Sequence, residues 1–374
     1  MAVTEKTTVS WGSRLGGSIK GVLAGVLMFI VGFPVLFSNE GRAVATTKTN
    51  EEGAASVVEA TPAEVDPSQE GKLVHVVGEA TTKDVLSDEE YGVSATAISM
   101  LREVEMYQWV EHADTKEEKK LGGKVEQVTT YTYTKEWCAH PVNSDEFKEQ
   151  DKINPPARRE LGERQSFAKD VTIGVRRLND AQIRSIGRAE RLVVKYQPVT
   201  TNEFFEVSGS VPVPRIGDVR ATFSVVRPHV VTVVAAQAGA NFLPYTAKST
   251  KKSISHVMDG AIDAEGVFAA AERSNTIMTW LLRAVGFFLM FFGLSMVLKP
   301  ISVLADVLPI LGDIVEMGTG LVAGVVAFVC SVATIAVAWI FYRPVLAVLL
   351  LALAGGAAFL LWKKRQAKKP AVVA

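Results

Sequence analysis

The sequence predicts an α+β extramembrane domain joined to a bundle of four transmembrane α-helices, one N-terminal and three C-terminal. Two observations carry this. Uncharged apolar runs are confined to the two ends of the 374-residue chain and lift its mean hydropathy to +0.20. Strand-like alternation is confined to the middle.

Residues 1–20 form a short N-terminal segment in which Lys6, Arg14 and Lys20 outnumber Glu5. Residues 21–37 (GVLAGVLMFIVGFPVLF) then run 17 positions without a charge, close to the roughly 20 needed to cross about 30 Å of hydrocarbon. Lys20, the apolar run and Ala43-Val44-Ala45 have the outline of a secretory leader. The length of the run and the polar Asn39, Glu40 and Arg42 instead favour an uncleaved anchor. Asn39, Glu40, Gly41 and Arg42 form a juxtamembrane motif, either an interaction site or a helix exit in which Gly41 turns and Arg42 meets headgroups.

Residues 38–276 lie between the first and second spans. Their strand candidates are 72–77, 104–110, 128–134, 204–208, 218–226 and 229–236, the last with a Val230, Val231, Val233, Val234 run that suggests burial on both faces. Residues 114–124 (DTKEEKKLGGK) are read as a hairpin loop. Ser87 to Glu90 has the form of a capping box for a short helix, 176–188 and 263–273 are further helical candidates, and 46–70 is polar with weak signals. Glu103, Glu105 and Glu111 around Trp109 read as a solvated strand face.

Further spans are expected at 279–298, 318–342 and 344–362, with Pro344 opening the last helix. Trp280, Trp339 and Trp362 fall at span ends, as interfacial aromatic residues do. Residues 299–317 read as an amphipathic segment on the cytosolic side. There Asp306 and Asp313, seven apart with Pro309 between them, could alternatively serve an ion path. Gly17, Gly21 and Gly25, and Gly320 with Gly324, have the four-residue spacing that lets membrane helices pack closely. The tail 363–374 carries Lys363, Lys364, Arg365, Lys368 and Lys369 without an acid.

Forty Lys and Arg balance forty Asp and Glu, which excludes the basic surplus of a nucleic-acid binder. Residues 1–37 hold three bases and one acid, and 277–374 hold eight bases and three acids, so the 239 residues between carry a net charge of −7. Basic flanks put both termini in the cytosol and residues 38–276 in the periplasm, lumen or exterior.

No nucleophile elbow, phosphate loop, His-Glu-x-x-His, Cys-x-x-Cys or dinucleotide fingerprint is present, so no catalytic residue, cofactor or metal ligand is expected. The five histidines are dispersed. Cys138 and Cys330 lie in different regions. Cys330 reads as a small packing residue and Cys138 as a free thiol or a contact to another chain.

Several stretches taken in order resemble the transmembrane protein 43 (LUMA) family: FSNEGRA (37–43), YGVSATAISMLREVEMYQWVE (91–111), TYTYTKEW (130–137), GDVRATFSVVRPHVVTVVAAQ (217–237), RSNTIMTWLLRAVGFFLMFFGL (273–294) and WIFYRPVLA (339–347). The resemblance runs from about residue 20 to 362. It implies four spans with a large domain between the first two. It also implies, for animal members, self-association in the endoplasmic reticulum and inner nuclear membrane with lamins and emerin, and no known catalytic residues. The polar stretch 46–70, Cys138 and the Ala- and Val-rich composition without a glycosylation sequon point to a bacterial member in the inner membrane with a periplasmic domain. The expected function is a self-associating multi-pass scaffold whose partners are membrane lipids, further copies of the chain, and unidentified membrane or envelope proteins, not nucleic acid. The alternative is a transport or channel-modulating component using Asp306 and Asp313.

Overall fold

The computed structural model describes residues 3–157, 160–192, 214–345, 348 and 356. The strand expected at 204–208, nearly all of the span expected at 344–362, and the tail 363–374 lie outside them. The chain divides into an α/β unit (Met1–Thr7, Thr49–Glu117, Gln127–Ala271) and a helical unit (Thr8–Lys48, Glu118–Glu126, Glu272–Ala374).

The principal strands are β1 (Val3–Val9), β2 (Leu73–Thr81), β3 (Ser99–Lys119), β4 (Val125–Cys138), β5 (Val219–Val226), β6 (His229–Ala238) and β7 (His256–Asp259). One six-stranded sheet runs β1-β4-β3-β5 and ends on Glu190–Arg191, with Gly162–Phe167 also paired to β3. A second, beside two short two-stranded sheets, has seven strands, in which β6 pairs with β2 over eight residues, from His229 against Ala80 to Ala236 against Leu73, and with β7. Val231 to Gln237 are buried without interruption, as in a strand covered on both faces, whereas Val230 at the head of the expected run is exposed.

Alternation decides which side chains of β3 and β5 enter the core. Met100, Val104 and Met106 face Val225, Ala221 and Val219 across the ladder and pack with Phe223 in one apolar cluster. Arg102 shares that buried face. Its guanidinium donates to Asp88 (3.0 Å) and Glu90 (2.8 Å) and lies 5.3 Å over the Tyr91 ring, partners without which a buried charge would cost several kcal/mol. The opposite face of β3 is half-buried and engaged. Arg220 donates to Glu105 (2.6 Å), Tyr133 donates to Glu111 (2.6 Å), and the Lys135 and Lys152 ammonium groups lie 4.7 Å and 5.2 Å from the Trp109 ring.

Among the described residues four α-helices are delimited: α1 (Trp11–Ser56), α2 (Asp180–Ser185), α3 (Ala264–Ala305) and α4 (Pro309–Tyr342). Three of them, α1, α3 and α4, are long and apolar enough to cross a membrane. The span expected at 21–37 is the middle of α1, which continues through Pro34 and on to Ser56, so the first eleven residues of the stretch read as weakly structured, 46–56, are helical. Likewise 263–273 and 279–298 are one helix rather than two. Proline is tolerated inside such helices where neighbours satisfy the freed carbonyls. Pro309 opens α4 at its first turn, the position where its missing N–H costs nothing.

Three further expectations are corrected. Ser87 to Glu90 is not a helix start: Val85–Asp88 is a strand paired with Val93–Thr96, and Asp88 accepts from the Tyr91 N–H and from Arg102. The loop expected at 114–124 shrinks to a turn at Lys120–Lys124 with Gly122 and Gly123 at positive φ. The charged strands run on to it because cross-strand bonds such as Thr115 to Thr129 (2.9 Å) and Gln127 to Glu117 (2.7 Å) are made on a solvated surface. Of 176–188 only α2 is helical, capped reciprocally by Asn179 and Gln182; Arg176 is instead a strand residue, fully buried, donating to the Thr61 carbonyl and to Gln237.

Candidate functional site: polar clusters at the two ends of the helical unit

Between its ends the helical unit is held by close backbone approach. A Cβ placed on Gly25 would lie 2.6 Å from the Gly293 carbonyl oxygen and 2.8 Å from Met296 Cβ, and one on Gly293 would lie 2.6 Å from the Gly25 carbonyl oxygen. Gly32 meets Met290 and Gly286 meets Leu36 in the same way. Contact without side chains is the usual means of packing helices where no hydrophobic gradient drives them together. The expected glycines therefore separate. Gly25 is a tight α1–α3 contact; a Cβ on Gly21 would lie 3.5 Å from Met296 and one on Gly324 3.7 Å from Phe291, in ordinary van der Waals range, and one on Gly17 or Gly320 would meet nothing within 4 Å.

At one end the motif 39–42 ties three helices together. Glu40 is fully buried. Arg283 of α3 grips it with two bonds (Nε to Oε1 2.7 Å, Nη2 to Oε2 3.0 Å), and Trp339 Nε1 of α4 donates to Oε2 at 2.8 Å. Two planar groups thus saturate one carboxylate. Arg42 donates to Asn275 (3.0 Å) and Thr279 (2.9 Å), and Asn39 donates to the Thr279 carbonyl (3.0 Å). A Cβ on Gly41 would lie 2.6 Å from Tyr342 Cζ, so glycine is needed here for the aromatic ring and not for a turn. Within the chain these residues are engaged chiefly by α3 and α4, through partners more than 230 positions away, and Arg42 also donates to Asn39.

At the other end Asp306, Asp313 and Glu316 converge on Lys119 of the β3–β4 hairpin, whose Nζ lies 3.1 Å, 2.8 Å and 2.7 Å from the three carboxylates. Burial works against the lysine charge, but the hydrogen bonds to Asp313, Glu316 and Asp306 outweigh it and hold the ammonium well above the usual lysine range. Arg14 of α1 completes the cluster, 2.5 Å from the other Asp306 oxygen and donating to the Gly123 carbonyl at 2.9 Å. Trp11 Nε1 donates to the Val303 carbonyl (2.9 Å), and the Gly122 N–H donates to the Val307 carbonyl (3.1 Å). Asp306 is almost fully buried and paired with two cations, Arg14 and Lys119. The sequence reading puts 38–276 and 299–317 on opposite membrane faces. Within the helical unit the hairpin tip 118–126 lies against 306–316.

The remaining candidates are structural. His75 is buried, with Nδ1 2.7 Å from Glu59 and Nε2 2.8 Å from the Ile262 carbonyl oxygen. His112 meets Thr134 and Glu136, and His229 meets Asp259. Among the described residues no three His, Cys, Asp or Glu side chains are grouped to hold a metal ion. Burial, with Glu136 and Glu105 nearby, holds the Cys138 thiol above its ordinary range, which lowers its reactivity. Cys330 packs beside the Leu36, Met290 and Ala327 cluster.

Three apolar helices of membrane-crossing length, closed by polar contacts at both ends, together with an α/β unit, define a membrane protein with a large extramembrane part. The chain belongs to the transmembrane protein 43 family. The model of that family, described as transmembrane protein 43, matches residues 106–344. Mouse transmembrane protein 43 is 34% identical over 369 residues, covering 93% of this chain and 91% of the mouse protein. The human protein is 34% identical over 360 residues, with 91% and 89% covered. A fruit-fly homolog is 29% identical over 356 residues, with 90% and 92% covered. No solved structure matches.

Three outcomes follow from this geometry. Glu40→Ala removes the acceptor shared by the half-buried Arg283 and Trp339 and should cost about 3 kcal/mol, read as a lower midpoint of thermal unfolding in detergent. Gly25→Leu should cost at least about 1–3 kcal/mol through overpacking, whereas Gly17→Leu and Gly320→Leu should stay within about 0.5 kcal/mol of the parent. In a Cys138→Ser, Cys330→Ser background, a membrane-impermeant maleimide should label Leu121→Cys and Met317→Cys from the same face of sealed vesicles; both positions are exposed.

Proposed function

We propose that this chain is a membrane scaffold that self-associates and gathers partner proteins or lipids. The observation that carries the reading is the division of labour within the helical unit. The buried polar groups near its ends are spent on contacts inside the chain, while only 17–22% of the apolar windows of α1, α3 and α4 is buried by the chain itself. Polar chemistry is directed inward to fix shape, and apolar surface is left outward for lipid and further copies. The membrane and envelope proteins it would gather are engaged through the extramembrane region, which is acidic overall. No catalytic role is assigned to any residue.

The basic tail and N-terminal segment support a cytosolic location for both termini, and the composition supports the inner membrane of a bacterium. The ion-path alternative is disfavoured, since Asp306 and Asp313 are matched by Arg14 and Lys119.

Light scattering on the full chain purified in mild detergent tests the scaffold reading. The expected mass, after subtraction of detergent, is a multiple of the 40.4 kDa chain. A monomer at every concentration, with no further mass in lipid nanodiscs, would overturn self-association.

A further inference from the structure

We propose that Lys20 of α1 and Lys299 of α3 form a binding site for the phosphate of an anionic membrane lipid. The helices α1 and α3 run antiparallel, and their contacts step along both chains, from Gly32 against Gly286 and Met290, through Gly25 against Gly293, to Gly21 against Met296. The next step brings Lys20 to the level of Val297 to Lys299. Each lysine is the first charge beyond an apolar run, residues 21–37 on one helix and 284–298 on the other, so both stand where hydrocarbon gives way to headgroups. A lysine there lays its stem along the apolar surface and lifts its ammonium to the phosphate layer.

The site is distinguished by what its neighbours do. Among the described residues, six cations belong to this end of the helical unit: Arg14, Lys20, Lys119, Lys120, Lys124 and Lys299. Arg14 and Lys119 are paired with Asp306, Asp313 and Glu316, and Lys120 with Glu118 at 2.6 Å and Glu126 at 3.5 Å. The acids of this end are consumed. Lys20, Lys299 and the hairpin's Lys124 are exposed and have no carboxylate partner among the described residues, and two of these three charges, Lys20 and Lys299, stand on adjacent helices. Beside them Ile19 (57% exposed) and Ile301 (51% exposed) offer apolar surface at the same level. Two ammonium groups flanked by exposed aliphatic side chains are complementary to a phosphate carried on acyl chains. A soluble phosphate would leave the aliphatic surface unused.

The test is a titration of phosphatidylglycerol into full-length protein in phosphatidylcholine nanodiscs. Wild type should bind the anionic lipid about 30-fold more tightly than a Lys20→Gln, Lys299→Gln variant, which at 1.4 kcal/mol per tenfold is the roughly 2 kcal/mol that two interfacial lysines supply. The variant should unfold at the wild-type temperature in phosphatidylcholine alone. An equal loss of binding in a Lys72→Gln, Lys251→Gln variant, whose changes lie in the α/β unit, would reduce the effect to net charge and overturn the site. So would retention of binding by the Lys20, Lys299 variant, or displacement of the lipid by inorganic phosphate at matched ionic strength.

Discussion

A carboxylate with no access to water is tolerated only where cations and donors surround it, and Glu40 sets that requirement at the margin of the apolar helices. Arg283 and Trp339 meet it from two other helices. The requirement is severe because the alternatives are poor. An unpaired buried charge costs several kcal/mol, and the surrounding apolar surface has little hydrogen bonding of its own to offer. Satisfying this group fixes which helices are neighbours, in what rotation, and at what height. The glycine contacts along α1 and α3 then need only small residues at the right heights to close the gap.

The same logic is repeated at the opposite end with the signs reversed. There a lysine is surrounded by three carboxylates, with an arginine balancing the most buried of them. Asp306 is the counterpart of Glu40, a buried acid claimed by cations from two distant segments. In the α/β unit, Arg102 with Asp88 and Glu90 plays a comparable part within an apolar face. In each case apolar burial supplies most of the favourable free energy and remains indifferent to register. The buried charge supplies the discrimination between one arrangement and its near alternatives.

Much of the fold is legible in the sequence where the signal is local. The valines of β6, the Thr and Tyr alternation of β4 and the 17-residue run of α1 each report their own burial through period and length. Legibility fails where the deciding partner is remote. Ser87 to Glu90 has the letters of a helix cap, but Asp88 is claimed by Arg102 and becomes part of a strand. Residues 46–56 lack an apolar stripe clear enough to declare a helix, yet they extend one already nucleated, which adds residues cheaply. The motif at 39–42 stands out as unusual, and its meaning lies in Asn275, Thr279, Arg283, Trp339 and Tyr342, none of which is marked by spacing. The opposing glycine Gly293 could have been found from the sequence, since it sits in a second apolar run much as Gly25 sits in the first.

The separation between Glu40 and its partners also has a consequence in time. Arg283 is made 243 residues after Glu40, and Trp339 299 residues after it. At a synthesis rate of about 5–20 residues per second, the first helix waits roughly 12–50 s for the arginine and longer for the tryptophan. Through that interval the nascent chain carries an acid at the edge of its anchor with no counter-ion of its own. Glu40 can therefore lose its water only once α3 and α4 have been made. A chain that stops short of residue 283 keeps an uncompensated charge, and that charge distinguishes it from a finished molecule.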